Sequence, residues 1–199
     1  MEKPKDIRVS KKKLEELNDI WINSFYTYPY LQGKVKFTEE KKSDYVGVIF
    51  GYFHDSFDIV FSENSKGRDT FLDVFSYHIG LLQSIFVQQD VIEELLRIFK
   101  TKVERDTLKA DLNYKTNRDI RNELIGHPIN RDNGKLCSSS LLGYGTSRSV
   151  ITYLKYEFLE ETNVVQTVEI KDVFTRHKEF LNNIFRYTFI KIIFITRII

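Results

Sequence analysis

The chain has little of what staples or divides a fold. Its single cysteine, Cys137, excludes an internal disulfide framework and a zinc site built from cysteines. Three prolines and nine glycines among 199 residues leave no Pro- or Gly-rich linker between domains. Neither sign of charge dominates: 30 Lys and Arg against 28 Asp and Glu give +2. Such a balance provides no global nucleic-acid signature, so any such surface must be local. The basic tail Lys3, Lys5, Arg8, Lys11, Lys12 and Lys13 reads as a solvated face. No apolar run reaches the ~20 residues of a membrane span. The nearest is Ile184 to Ile199, which Arg186, Lys191 and Arg197 interrupt; it reads as a buried helix or part of a subunit interface. The start Met1 to Asp6 has no apolar signal region, so a cytoplasmic protein is expected.

What is present fits one substantial core: 42% of residues are apolar and 29% charged. The chain reads as a single domain over 1–199, with an N-terminal helical part over 1–68 and a motif-bearing bundle over 69–199. A first helix is expected over about Lys11 to Tyr28, where Leu14, Leu17, Trp21 and Phe25 recur at three and four residues. Tyr45 to Phe61 steps by four through Tyr45, Ile49, Phe53 and Phe57, which outweighs the glycines and valines and favours helix over strand. Asp69 to Lys100 carries a seam of Phe71, Phe75, His78, Leu82, Ile85, Ile92, Leu96 and Phe99. That pattern predicts a long central helix. Arg105 to Ile125 reads as another, with capping spacing at Thr116 and Asp119 where it could restart. Asn130 to Arg148 reads as a long loop. Ser149 to Phe158 and Asn163 to Ile170 read as a β-hairpin, and Lys171 to about Ile195 as a final helix.

One segment carries chemistry: Arg121-Asn122-Glu123-Leu124-Ile125-Gly126-His127-Pro128. Gly126 is a natural helix stop, because glycine enters the left-handed region after a C-cap without steric cost. Pro128 pushes His127 out of the helical region. In a continuous helix, residues six apart diverge by about 120°; ending the helix lets His127 swing toward Arg121. A permanent guanidinium beside a group that titrates near neutrality suits phosphodiester chemistry.

An Arg followed by a polar residue, then a His at a helix end, resembles the motif of HEPN domains (higher eukaryotes and prokaryotes nucleotide-binding). Here five residues separate Arg121 from His127, Asn122 fills the polar slot and Gly-His-Pro closes the motif. The order of helices, hairpin and final helix over most of Asp69 to Ile199 is similar to that family's bundle. The resemblance implies a mainly α HEPN-like bundle with a β-hairpin inserted before the last helix. It implies a homodimeric, metal-independent endoribonuclease of toxin–antitoxin or abortive-infection type, with no cofactor. His127 would be general base or acid and Arg121 the phosphate clamp; Asn122 would hold the phosphate or orient His127. Arg118, Lys115 and Arg131 would add RNA-binding charge. The alternative is a non-catalytic module that binds RNA, an antitoxin or a nucleotidyltransferase.

Blander readings accompany this one. Arg121 could pair with Glu123 or Asp119 on the surface. His78 on the apolar seam reads as a hydrogen-bonded core residue, and His177, between Arg176 and Lys178, as exposed. His54, Asp55 and Asp58 lack a further ligand at a metal-binding spacing. Gly143 to Ser147 lacks the lysine of a P-loop and reads as a turn. Tyr153, Tyr156 and Phe158 read as packing aromatics rather than a base-stacking platform.

Overall fold

Thr70 and Asp73 start the longest helix by capping it. The Asp73 backbone N–H donates to Thr70 Oγ1 at 3.3 Å, and the Thr70 hydroxyl donates to the Asp73 carboxylate. A computed structural model describes residues 12–13, 15–16, 18–19, 43–61, 70–98, 105–132, 135–157 and 162–196. Helix α1 spans Ser43–Phe61 and α2, which Thr70 caps, spans Phe71–Ile98. A short α3, Arg105–Ala110, precedes α4, Leu112–Arg121, which widens into a π-helical turn over Asn122–Gly126. Strands β1 (Ile129–Asp132), β2 (Lys135–Leu141), β3 (Val150–Glu157) and β4 (Thr162–Glu169) follow, and α5 (Ile170–Thr196) comes last.

The described part is mostly helical with a small antiparallel sheet in the order β1-β2-β3-β4. The predicted hairpin is β3 and β4, in register from Val150 opposite Glu169 to Glu157 opposite Thr162. The predicted long loop is largely wrong. It contains β1 and β2, with Ile129 opposite Ser138 and Ser140 opposite Leu154. Lys-Leu-Cys-Ser-Ser-Ser-Leu lacks the β-branched residues that announce a strand, so its state is set by backbone pairing on both sides. The expected restart at Thr116 also moves: the break falls at Asp111, whose carboxylate accepts from the N–H groups of Asn113 and Tyr114. At the N-terminus, Lys12, Lys13, Glu15, Glu16, Asn18 and Asp19 are helical. The remainder of the predicted first helix lies outside the described residues.

The core joins α1, α2, α4, α5 and the inner face of β3. Val46, Phe50, Phe53 and Phe57 of α1 meet the cluster of Leu81, Leu82, Ile85, Ile92 and Leu96 on α2. Val173, Phe180, Leu181 and Phe185 close it from α5. Phe71, expected on the seam, is exposed at the first turn and lies against Gly143. His78 is buried as expected, and its Nε2–H donates to the Ser147 carbonyl at 2.7 Å. That bond ties α2 to the Gly143–Ser147 turn, where Gly145 takes the left-handed region at φ 80°.

His177 reverses its expectation and is 0% exposed. Its flanking cations mislead, since it lies on the α5 face of Val173, Phe180, Leu181 and Ile184. The ring Nε2–H donates to Gln88 Oε1 at 2.6 Å, Gln88 Nε2 donates to Ser56 Oγ, and Ser56 donates to the Phe53 carbonyl. This chain crosses α5, α2 and α1. Burial pushes the imidazole down to about 3, so it is neutral. Among the described residues no helix is long and apolar enough to cross a membrane.

Candidate active site

The motif sits at the end of α4, and its turn is built differently from the sequence expectation. The His127 backbone N–H donates to the Asn122 carbonyl at 2.7 Å, a five-residue step that makes the last turn π-helical. The chain then leaves the helix at His127, with φ −143° and ψ 59°, outside the helical region that the following Pro128 disfavours. Gly126 is not in the left-handed region; among the described glycines only Gly145 has positive φ. Its missing side chain matters for another reason. A Cβ there would collide with Nη1 of Arg121 and lie 3.2 Å from Asn122 Oδ1. The guanidinium therefore rests against the backbone just before His127.

Arg121 is held by neutral groups. Its Nε and Nη2 both donate to Gln83 Oε1, at 3.1 and 2.9 Å, and Nη1 donates to Asn122 Oδ1 at 3.1 Å. Its Cζ sits 4.0 Å from the centroid of the Phe86 ring. Arg118 Cζ lies at the same distance from that ring, so the two guanidinium carbons are at most twice that distance apart. Burial first, and the neighbouring Arg118 second, push the Arg121 guanidinium below its ordinary value, with Asp90 opposing them. It stays charged regardless.

The surface pairing of Arg121 with Glu123 or Asp119 is not formed. Glu123 turns to the sheet, where it accepts from the Tyr153 hydroxyl at 2.8 Å and pairs with Lys155 Nζ. Burial and this bond to Glu123 push the Tyr153 hydroxyl well up, so it remains a donor. Pro128 reinforces the junction, because its carbonyl accepts from the Ser139 N–H at 2.7 Å. Sheet and motif turn thus form one unit.

Compared with family models, curated proteins and solved structures, the chain gives no match.

The structure brings Arg121, Asn122 and the Gly126 backbone into contact and places His127 at the exposed end of the turn. Arg118 is paired with Asp90 at 2.8 Å, its side chain mostly covered. Lys115 is exposed on α4. Arg131 belongs to β1, opposite Leu136, and its side chain lies outside the described residues. Among the described residues no group of three or more His, Cys, Asp or Glu is placed to hold a metal ion. Gln83, Phe86 and Asp90 are the site residues that motif reading misses. Their spacing of three and four along α2 places them on one stripe, and a half-polar stripe beside an apolar seam is the signal that could have found them.

Proposed function

We propose that the chain is a HEPN-type, metal-independent endoribonuclease. The observation that carries the proposal is Arg121: a partly buried guanidinium held by Gln83 and Asn122, two neutral amides, against the backbone of Gly126, the residue before the exposed His127. The partners bonded to Arg121 carry no charge, which leaves the guanidinium able to take an anion.

The chemistry follows from the groups present. A neutral His127 imidazole takes the proton of a ribose 2′-hydroxyl, and the 2′-oxygen attacks the adjacent phosphorus. The phosphorus–O5′ bond breaks, giving a 2′,3′-cyclic phosphate and a 5′-hydroxyl after an imidazolium protonates the leaving oxygen. Arg121 holds the non-bridging oxygens as charge builds on them. In a homodimer, as the family resemblance implies, the second copy supplies the acid and the two motifs face one cleft. A toxin or abortive-infection role in the cytoplasm belongs to the same reading.

Structured RNA incubated with the protein in EDTA tests it, with the new ends analysed. Cyclic phosphate ends, lost in Arg121→Ala, support the ribonuclease. A folded dimer that leaves RNA intact supports instead the module that binds RNA or a protein partner. A monomer in light scattering at working concentration removes the composite cleft.

A further inference from the structure

We infer that Gln83 is a positioning residue of this site: it holds Arg121 through a neutral amide, as a phosphate fork with no carboxylate bonded to it. The inference rests on the reading that Arg121 meets an RNA phosphate.

A guanidinium has five N–H donors in one plane. Gln83 Oε1 accepts from Nε and Nη2, which is the side-on edge of that plane, and Asn122 Oδ1 accepts from Nη1. Those bonds leave one hydrogen on each of Nη1 and Nη2 for an outside acceptor such as a phosphate oxygen. The Phe86 ring covers the guanidinium at 4.0 Å, and the Gly126 backbone lies against Nη1. The fork is therefore fixed before any RNA arrives, which lowers the ordering cost of binding.

The identity of the acceptor is the telling point. A glutamate would make the same two bonds more strongly, because hydrogen bonds between ionised partners exceed those with one neutral partner. A glutamate there would turn the contact into a direct ion pair. A glutamine has the same shape and accepts the same hydrogens without cancelling the charge. Gln83 thus fits a site kept open for an outside anion, as Asp90 does not do for Arg118.

Gln83→Glu separates the two roles, measured beside Arg121→Ala in the full chain. The probe is a fluorescent single-stranded RNA oligonucleotide, titrated across a salt series. The expected Gln83→Glu protein is folded, melts at or above the wild-type temperature and binds at least about tenfold more weakly. Its slope of log affinity against log salt should fall by about 0.7, the worth of one phosphate on a single strand. Gln83→Leu, which frees the guanidinium without neutralising it, should weaken binding with less change in that slope. Wild-type affinity and slope in Gln83→Glu, with binding lost in Arg121→Ala, overturn the role of Gln83 and leave the site intact. Wild-type binding in Arg121→Ala as well overturns the phosphate reading and this inference with it.

Discussion

Gly126 and Arg121 share one space: a Cβ on the glycine would collide with Nη1 of the arginine and lie 3.3 Å from its Cζ. The obstructing atoms are the far end of a flexible side chain, so the protein can accept an alanine by moving the guanidinium. Stability should fall by about 1 to 3 kcal/mol, because the backbone there is not strained for alanine but moving the guanidinium breaks bonds to Gln83 and Asn122. On the proposed ribonuclease reading, activity should fall on the order of 100-fold, because the clamp that reading assigns to Arg121 is displaced. Parallel melting and RNA-cleavage measurements on Gly126→Ala check this, and a variant that melts and cuts like wild type refutes it.

The helix that carries the motif depends on its cap. Asp111 accepts the N–H groups of Asn113 and Tyr114 at 2.7 and 3.3 Å, which would otherwise lack helical partners. Asp111→Ala should cost about 1 kcal/mol in a urea titration. An unchanged midpoint would mean that the packing of Tyr114 and Ile120 fixes α4 without the cap.

Tyr153 and Glu123 join the sheet to the motif turn. Tyr153→Phe removes a bond to the Glu123 carboxyl group that pairs with Lys155, while keeping the buried ring, so the loss should be about 1 to 2 kcal/mol. Hydrogen exchange at the amides of Asn122 to His127 should rise in the variant. Exchange that changes only in β3 would show that Lys155 alone holds Glu123 in place.

His177 predicts an acid sensitivity. Its ring falls to about 3 in the folded protein, against 6.5 when unfolded, so the unfolded chain binds the extra proton between those values. The contribution of this group is complete above pH 6.5 and is lost progressively as pH falls toward 3. The slope is on the order of 1 kcal/mol per pH unit at most. Burial lowers His78 as well, which adds to the same trend. Replacing His177 with phenylalanine should flatten the pH dependence of the urea midpoint in this window, whatever it costs at neutral pH by stranding Gln88. A slope equal to wild type would assign the acid sensitivity to other groups.

The helical part of the fold was legible because α2 repeats large apolar residues at three and four, and Phe53 and Phe57 on α1 do the same. His78 was legible for the same reason. β2 was hidden because three serines and a cysteine carry no strand preference, and only its neighbours make it one. His177 was misread from its charged neighbours, although its spacing from Val173 and Phe180 held the answer. At the site, the motif pointed to Arg121, Asn122 and His127, but their support was out of reach. Gln83 and Phe86 meet Arg121 only after α2 and α4 pack, and the turn at Gly126 is π-helical rather than the left-handed cap that a glycine suggests.

The central claim is that His127 moves the proton of the reacting hydroxyl. The most direct measurement is single-turnover cleavage of a defined RNA in EDTA by wild type and His127→Ala, with folding and dimerisation verified for both. The account predicts a loss of two orders of magnitude or more, roughly the worth of a general acid or base, with cyclic phosphate ends from wild type. A folded His127→Ala dimer that cuts at the wild-type rate contradicts it.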